Sequence, residues 1–446
     1  MSRIKFVIKR SGAKVPFTPE RITNAIYRAA VSVGGRDRAT AEDLARQVVA
    51  LLEQNPDPEY TPHIEEIQDL VEKVLIENAH AKVAKAYILY RDERARRRAQ
   101  QEAQASRPSK NIPWAKIWHV LDWAVDHHLN TVDGLNRRIS EGEFSQVVTE
   151  SEAAYSVEIE NAVKAILERR QELRMIFISG PSSSGKTTTT LKVGEKLNTA
   201  GMHLVTMNLD NYFFDLEMHP KDEFGDYDFE TPYALDLALI NEHLRQLIAG
   251  NEVMIPFYDF KTGKRTDAKT PMKIKSDDLI LIDSLHGLFP AMTVGIDDSL
   301  KFRLYLEPLM QMKGFDGEYV HWTDIRLMRR MLRDATHRAY DPRQTLEHWH
   351  YVRASEMRHI IPNINDVDIL VNTAMPYEMS LYAARLKEDF VKWTDGYRDN
   401  PLKEDAYIRA RRIASLLSTI NPMKEDDQVP LDSVIREFIG GSILKY

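Results

Sequence analysis

The sequence predicts an α/β protein: a doubly wound parallel sheet over residues 173–446, preceded by a small α+β domain at 1–95 and a helical connector at 113–172. Three observations predict it. Five short apolar runs, MIFIS, HLVTMNLD, DDLILIDS, LKFRLYLE and DVDILVN, alternate with helix-forming stretches, the pattern of parallel strands covered on both faces. The first of these runs leads straight into a glycine loop followed by another helix-forming run. Amphipathic runs with helix-start signals fill the amino-terminal domain.

Composition bounds the function. The 446 residues, 43% of them hydrophobic, suffice for two or three domains with real cores. A formal net charge of -7, with no long block of like charge, argues against a nucleic-acid partner and leaves small-molecule substrates open. The absence of cysteine removes disulfides, thiolate metal sites and cysteine nucleophiles, and fits a reducing cytoplasm. The start, MSRIKFVIKR, has no signal-peptide core, and no run reaches the ~18 apolar residues that span a bilayer. A cytoplasmic protein without a membrane partner is expected.

Along the chain, IKFVIKRSG reads as two small strands around a turn at Gly12. Thr18 with Pro19 starts a helix carrying Ile22, Ala25, Ile26 and Ala29 at helical spacing; Thr61 with Pro62 repeats the signal before Ile64, Ile67, Val71, Val74 and Leu75. Residues 96–112 are polar, rich in arginine and glutamine, and read as a linker. In the following run Trp114, Ile117, Leu121 and Ala124 share one helical face, expected to be core. Residues 150–172 form another helix leading into MIFIS.

Gly180-Pro-Ser182-Ser183-Ser184-Gly185-Lys186-Thr187 satisfies G-x-x-x-x-G-K-[ST] between a strand and a helix, and Thr188 follows it. The glycines let backbone N–H groups converge on phosphate oxygens, Lys186 reaches the outer phosphates, and Thr187 is placed for magnesium. ATP and Mg2+ are therefore the expected cofactors. Asp283, closing LILID, is the second metal carboxylate, and Asp210, in NLDNYFF, is either the general base or the cap of the next turn. Arg326, Arg329, Arg330 and Arg333 fall at i, i+3, i+4 and i+7, with Arg338 just beyond; the reading is an arginine-bearing lid over 326–345 that closes on the transferring phosphate. Neither His127 with His128 nor His348 with His350 has chelating geometry on a helix, so no zinc site is expected.

Residues 173–446 resemble the uridine kinase and phosphoribulokinase family, in its bacterial nucleoside-kinase branch, through GPSSSGKTT, LDNYF, YDFETPYALDL, IPFYDFKTGKR, LIDSLHGL, TDIRLMRRMLRD and the tail IREFIGGS. The resemblance implies transfer of the γ-phosphate of ATP to a nucleoside 5′-hydroxyl, with Asp210 as base. It also implies Glu230 on the ribose hydroxyls, Tyr258 beside the nucleoside, and Arg326 and Arg338 as the substrate-facing lid pair. Gly263 stands near the position where pyrimidine-reading members carry a histidine, which keeps a sugar-phosphate or polyol kinase in play as an alternative. A regulatory nucleotide-binding protein is the second alternative, though a sensor needs no base. Residues 1–95 resemble an ATP-cone through FVIKRSG, FTPERI, HIEEIQDLVEKVL and KAYILYRDER. That resemblance implies a nucleotide held by Lys9 and Arg10 with Arg21 and Ile22 nearby. From the order of the domains, the ATP-cone is expected to report the nucleotide pool by favouring one oligomer or one lid position, and a homo-oligomer is expected.

Overall fold

The computed structural model describes residues 3–8, 14–35, 37–57, 60–91, 111–220, 230–337, 341–398, 400 and 403–445. The chain forms two compact units, Met1–Ser109 with Arg398–Glu404, and Lys110–Tyr397 with Asp405–Tyr446.

In the first unit β1 (Phe6–Ile8) and β2 (Lys14–Pro16) pair antiparallel, with Val7 opposite Val15. Lys9, Arg10 and the turn at Gly12 lie outside the described residues. Four helices follow: α1 (Glu20–Ser32), α2 (Arg38–Leu52), α3 (Ile64–Glu77) and α4 (81–91). On α1, Ile22, Ile26 and Ala29 are buried at helical spacing, so Ile22 serves the core while Arg21 is exposed. Helix α3 is capped by His63 rather than Thr61: Thr61 lies too far ahead of Ile64, and the His63 ring accepts from the Glu65 N–H at 3.3 Å. Arg91 ties α4 to α3 through Glu65, Asp69 and Glu72, at 2.6, 2.7 and 2.6 Å.

The second unit is built on five parallel strands in the order β4-β7-β3-β8-β9. In chain order they are β3 (Met175–Ser179), β4 (His203–Thr206), β7 (Asp278–Ser284), β8 (Lys301–Glu307) and β9 (Ile369–Asn372). Their side chains alternate between two cores. Ile176, Ile178, Leu279, Leu281, Phe302 and Leu304 join one cluster, and Met175, Phe177, Ile280 and Ile282 join another on the opposite face. Helices α7 (Phe144–Glu168), α8 (Lys186–Thr199) and α10 (Trp322–His337) supply the first face, and α9 (Leu237–Ile248) the second. A sheet covered on both sides is what the uninterrupted apolar runs require.

Two features differ from expectation. The residues of the connector belong to the second unit, where Leu129, Val132, Phe144 and Val147 enter the main core. Trp114 on α5 (Trp114–Asp126) is 57% exposed, because only the last turn of that helix, Trp123 and Ala124, reaches the core. The expected linker is outside the described residues up to Lys110. No described helix is long and apolar enough to cross a membrane.

A hairpin that periodicity does not reveal, β5 (Val253–Asp259) with β6 (Lys264–Met272), stands beside the sheet. Its turn contains Gly263 at a φ of 67°, whose N–H donates to Asp259 O at 2.8 Å.

Candidate active site

Strand β3, buried throughout, ends at Ser179 and delivers the glycine loop to the carboxyl edge of the sheet, where the neighbours of the central strand diverge. The loop has no room for larger residues: a Cβ on Gly180 would sit 2.5 Å from Leu306 O, and one on Gly185 2.5 Å from the Val434 side chain. Gly185 has a φ of 90°, and Ser183, at 60°, is a non-glycine residue held in the left-handed region. The hydroxyls of Ser183 and Ser184 are buried with no hydrogen-bond partner among the described residues. A cradle closed to side chains and lined by unmatched hydroxyl donors fits the phosphates of ATP.

Lys186, the first residue of α8, folds back so that Nζ donates to Gly180 O at 3.0 Å and Pro181 O at 3.2 Å. Burial lowers its pKa, and the nearby carboxylates of Asp283 and Glu437 oppose that shift. Asp283 is brought there by register: it pairs with Ile178, one residue before the end of β3. Burial raises its carboxyl to about 6, against the lowering influence of Lys186. Thr187 and Asp283 line the same cleft, a hydroxyl and a carboxylate of the kind that holds a divalent cation among phosphates.

The raised Asp283 has a stability consequence. Its folded pKa exceeds the unfolded value, so its stabilising contribution is complete below about 4 and is lost as pH rises through about 6. Asp283→Asn should therefore raise the melting temperature of the nucleotide-free protein at pH 7.5, by on the order of 2 kcal/mol of stability, with the gain vanishing towards pH 4. Thermal unfolding of both proteins across that pH range checks the sign.

Asp210 lies on a single 3-10 turn (Leu209–Tyr212) directly after β4. The capping of this turn falls to Asn208, whose side chain accepts from the Asp210 N–H at 2.9 Å. The Asp210 side chain is exposed on the wall of a cleft of about 1280 Å³ that also contains Lys186, Thr187 and Asp283.

The arginines do not form one phosphate-facing stripe. Arg326 and Arg329 are fully buried. Arg326 bonds Glu307 at 2.8 Å, Glu356 at 2.6 and 2.9 Å and the Ser182 carbonyl at 3.1 Å. Arg329 bonds Glu378 at 2.8 and 2.9 Å and Thr373 O at 2.6 Å. Arg330 and Arg333 line the cleft, with Arg330 3.4 Å from Ser182 Oγ and 3.3 Å from the Glu230 carboxylate. Position around the helix does not sort them, since at about 100° per residue Arg333 falls between Arg326 and Arg329; the acidic partners Glu307, Glu356 and Glu378 decide which arginines turn inward. This corrects Arg326 as a substrate-facing residue: it supports the phosphate loop from behind. Arg338 lies outside the described residues. Arg326→Met should destabilise the fold by about 3–5 kcal/mol by leaving the buried Glu307 without its ion pair and Glu356 with Arg353 alone, measurable as a lower urea midpoint.

Also lining the cleft, Glu230 is half-buried and pairs with Arg330, while its carbonyl accepts from Ser355 Oγ. Tyr258 is buried at the end of β5, its ring 5.0 Å from Phe260 and 5.5 Å from Phe213. Gly263 cannot host a histidine without strain: besides its positive φ, a Cβ would lie 2.9 Å from Leu216 Cβ. An imidazole reaches this wall from elsewhere, His219, stacked on Phe213 at 5.5 Å with Nε2 bonded to Phe214 O at 2.8 Å. Sequence reasoning missed His219 and Phe260, and also Glu437 of the tail, which accepts from Thr188 of the loop helix. The run LEMHP carries no local signal, whereas the IREFIGGS motif itself marked the tail.

Two parts of the chain match known families and proteins. Residues 5–96 match the ATP cone domain, and residues 175–379 match the phosphoribulokinase / uridine kinase family. A uridine kinase of Deinococcus deserti is 25% identical over 198 residues, 44% of this chain and 86% of its own length. A vitamin B12-dependent ribonucleoside-diphosphate reductase of Thermoplasma acidophilum is 44% identical over 104 residues, 22% of this chain and 13% of its own. A solved structure of a possible uridine kinase from Bacillus stearothermophilus covers 49% of this chain and 98% of its own, with a TM-score of 0.33 and 17% identity.

Proposed function

We propose that this chain, whose residues 5–96 match the ATP cone domain and 175–379 the phosphoribulokinase / uridine kinase family, is a P-loop kinase whose acceptor is the 5′-hydroxyl of a nucleoside, uridine or a relative. The observation that carries this reading is the shared cleft: the phosphate loop, Asp210, Glu230, Tyr258, Phe213 and His219 line one cavity. Aromatic rings 5.0 to 5.5 Å apart offer flat apolar faces to a base, and carboxylates offer acceptors to ribose hydroxyls.

In this reading Asp210 takes the proton of the acceptor hydroxyl as its oxygen attacks the γ-phosphorus, and the γ-phosphoryl group leaves ADP. Lys186, Arg330 and Arg333 neutralise charge on the transferring group, and the buried Arg326 holds Ser182 in place. Thr187 and Asp283 would hold magnesium, which would supply positive charge against that of the phosphates. The ATP cone is proposed to sense ATP against dATP and to couple that state to homo-oligomer assembly. Equal rates and an unchanged sedimentation profile of the full chain with either nucleotide would remove this coupling.

The second reading, a kinase for a sugar phosphate or polyol, draws on Gly263, whose geometry bars a histidine there. A screen of nucleosides, sugars and sugar phosphates with γ-labelled ATP separates the two. Preferred labelling of uridine or cytidine supports the proposal, and labelling only of sugar phosphates or polyols sinks it.

A further inference from the structure

We propose that the C-terminal segment controls entry of the donor nucleotide, the Glu437 carboxylate occupying the place that a phosphate of ATP takes on binding. This rests on the reading of residues 180–188 as the phosphate cradle. Glu437 lies on α14 (Arg436–Ile439), a single turn close to the chain end, yet it is only 5% exposed. Its Oε2 accepts from the Thr188 N–H at 3.2 Å and from the Thr188 hydroxyl at 2.9 Å. Thr188 stands in the first turn of α8, where backbone N–H groups have no partner within the helix and are offered to an anion. In loops of this type those N–H groups cradle nucleotide phosphates. A carboxylate oxygen and a phosphate oxygen compete for the same two donors, and like charges so close together repel strongly.

The arrangement is built rather than incidental. Asp432 pairs with Lys192 of α8 at 2.8 Å, and Arg436 bonds Asp426 at 3.0 Å and Val429 O at 2.8 Å. The Val434 side chain lies against Gly185, and the Phe438 ring lies 5.0 Å from the buried Arg329 guanidinium. These contacts fix the backbone of the segment along the loop helix, so a rotation of the Glu437 side chain alone clears the cradle. Glu437 thus sets an internal anion on the donors of the phosphate site, and donor binding must displace it.

The test is direct binding of ATP and of inorganic triphosphate to the full chain by calorimetry, comparing wild type with Glu437→Gln and Glu437→Ala. Both variants should bind both ligands about tenfold more tightly, because a competing negative charge has been removed. Glu437→Asp, which keeps the charge but is shorter by one methylene, should fall between. Unchanged or weaker binding by folded Gln and Ala variants would show that Glu437 supports the loop instead, and would overturn the proposal. Because the readout needs no acceptor, it is independent of which hydroxyl is phosphorylated. A wild type that binds neither ATP nor triphosphate would overturn the phosphate-cradle reading and the proposal together.

Discussion

Replacing Lys186 by methionine should reduce phosphoryl transfer by about 10³-fold, while the nucleotide-free protein becomes more resistant to heat. The two effects have one cause. Nζ is held over the loop by two carbonyls, and burial pushes its pKa down, so the folded chain bears an unfavourable charge that only a polyphosphate fully compensates. Removing the ammonium relieves that cost in the empty site and forfeits charge neutralisation in the transition state. Steady-state kinetics with a coupled ADP assay and a thermal melt of the same preparation measure both. A variant that retains most of its activity would take Lys186 out of the reaction, and one that merely unfolds would show a structural role.

Replacing Asp210 by asparagine should lower kcat by about 10²- to 10⁴-fold, with the Kd for ATP unchanged. Asn208 already caps the turn, so the substitution leaves the local backbone supported and tests the carboxylate alone. Asparagine keeps the shape and accepts hydrogen bonds, but it cannot take the proton of an attacking hydroxyl. Stopped turnover with intact ATP binding supports the role of base. Full acceptor phosphorylation by Asp210→Asn would dismiss it and return the residue to an architectural part in the cleft wall.

Several parts of this site are legible in the chain itself. The alternation of apolar strands with helices announces a covered parallel sheet, and each strand named from the sequence contains one in the structure. Gly180, Gly185 and Lys186 declare the loop because backbone convergence on phosphate needs absent side chains at fixed spacing. Asp283 is legible as a polar residue carried out of an apolar strand, and Asp210 as one that follows its strand in the loop at the same edge of the sheet. The arginine helix is legible only as a helix. Nothing in its spacing tells that Arg326 and Arg329 meet carboxylates from β8, α11 (Pro342–His359) and α12 (Glu378–Tyr397), while Arg330 and Arg333 face the cleft.

The sequence by itself thus determined the class of fold, the glycine loop and the place of Asp283 and Asp210 at one edge of the sheet, since each follows from local periodicity or from spacing within a few residues. Tertiary structure alone decided which arginines are buried and which meet the cleft. It also brought His219 to the wall beside Tyr258, barred a side chain at Gly263, and placed Glu437 on Thr188 across 249 residues of chain. The physical reason is separation along the chain. A strand edge or a glycine loop is fixed by neighbours in sequence, whereas an ion pair or a shared hydrogen-bond donor is fixed only when packing brings distant segments within about 3 Å.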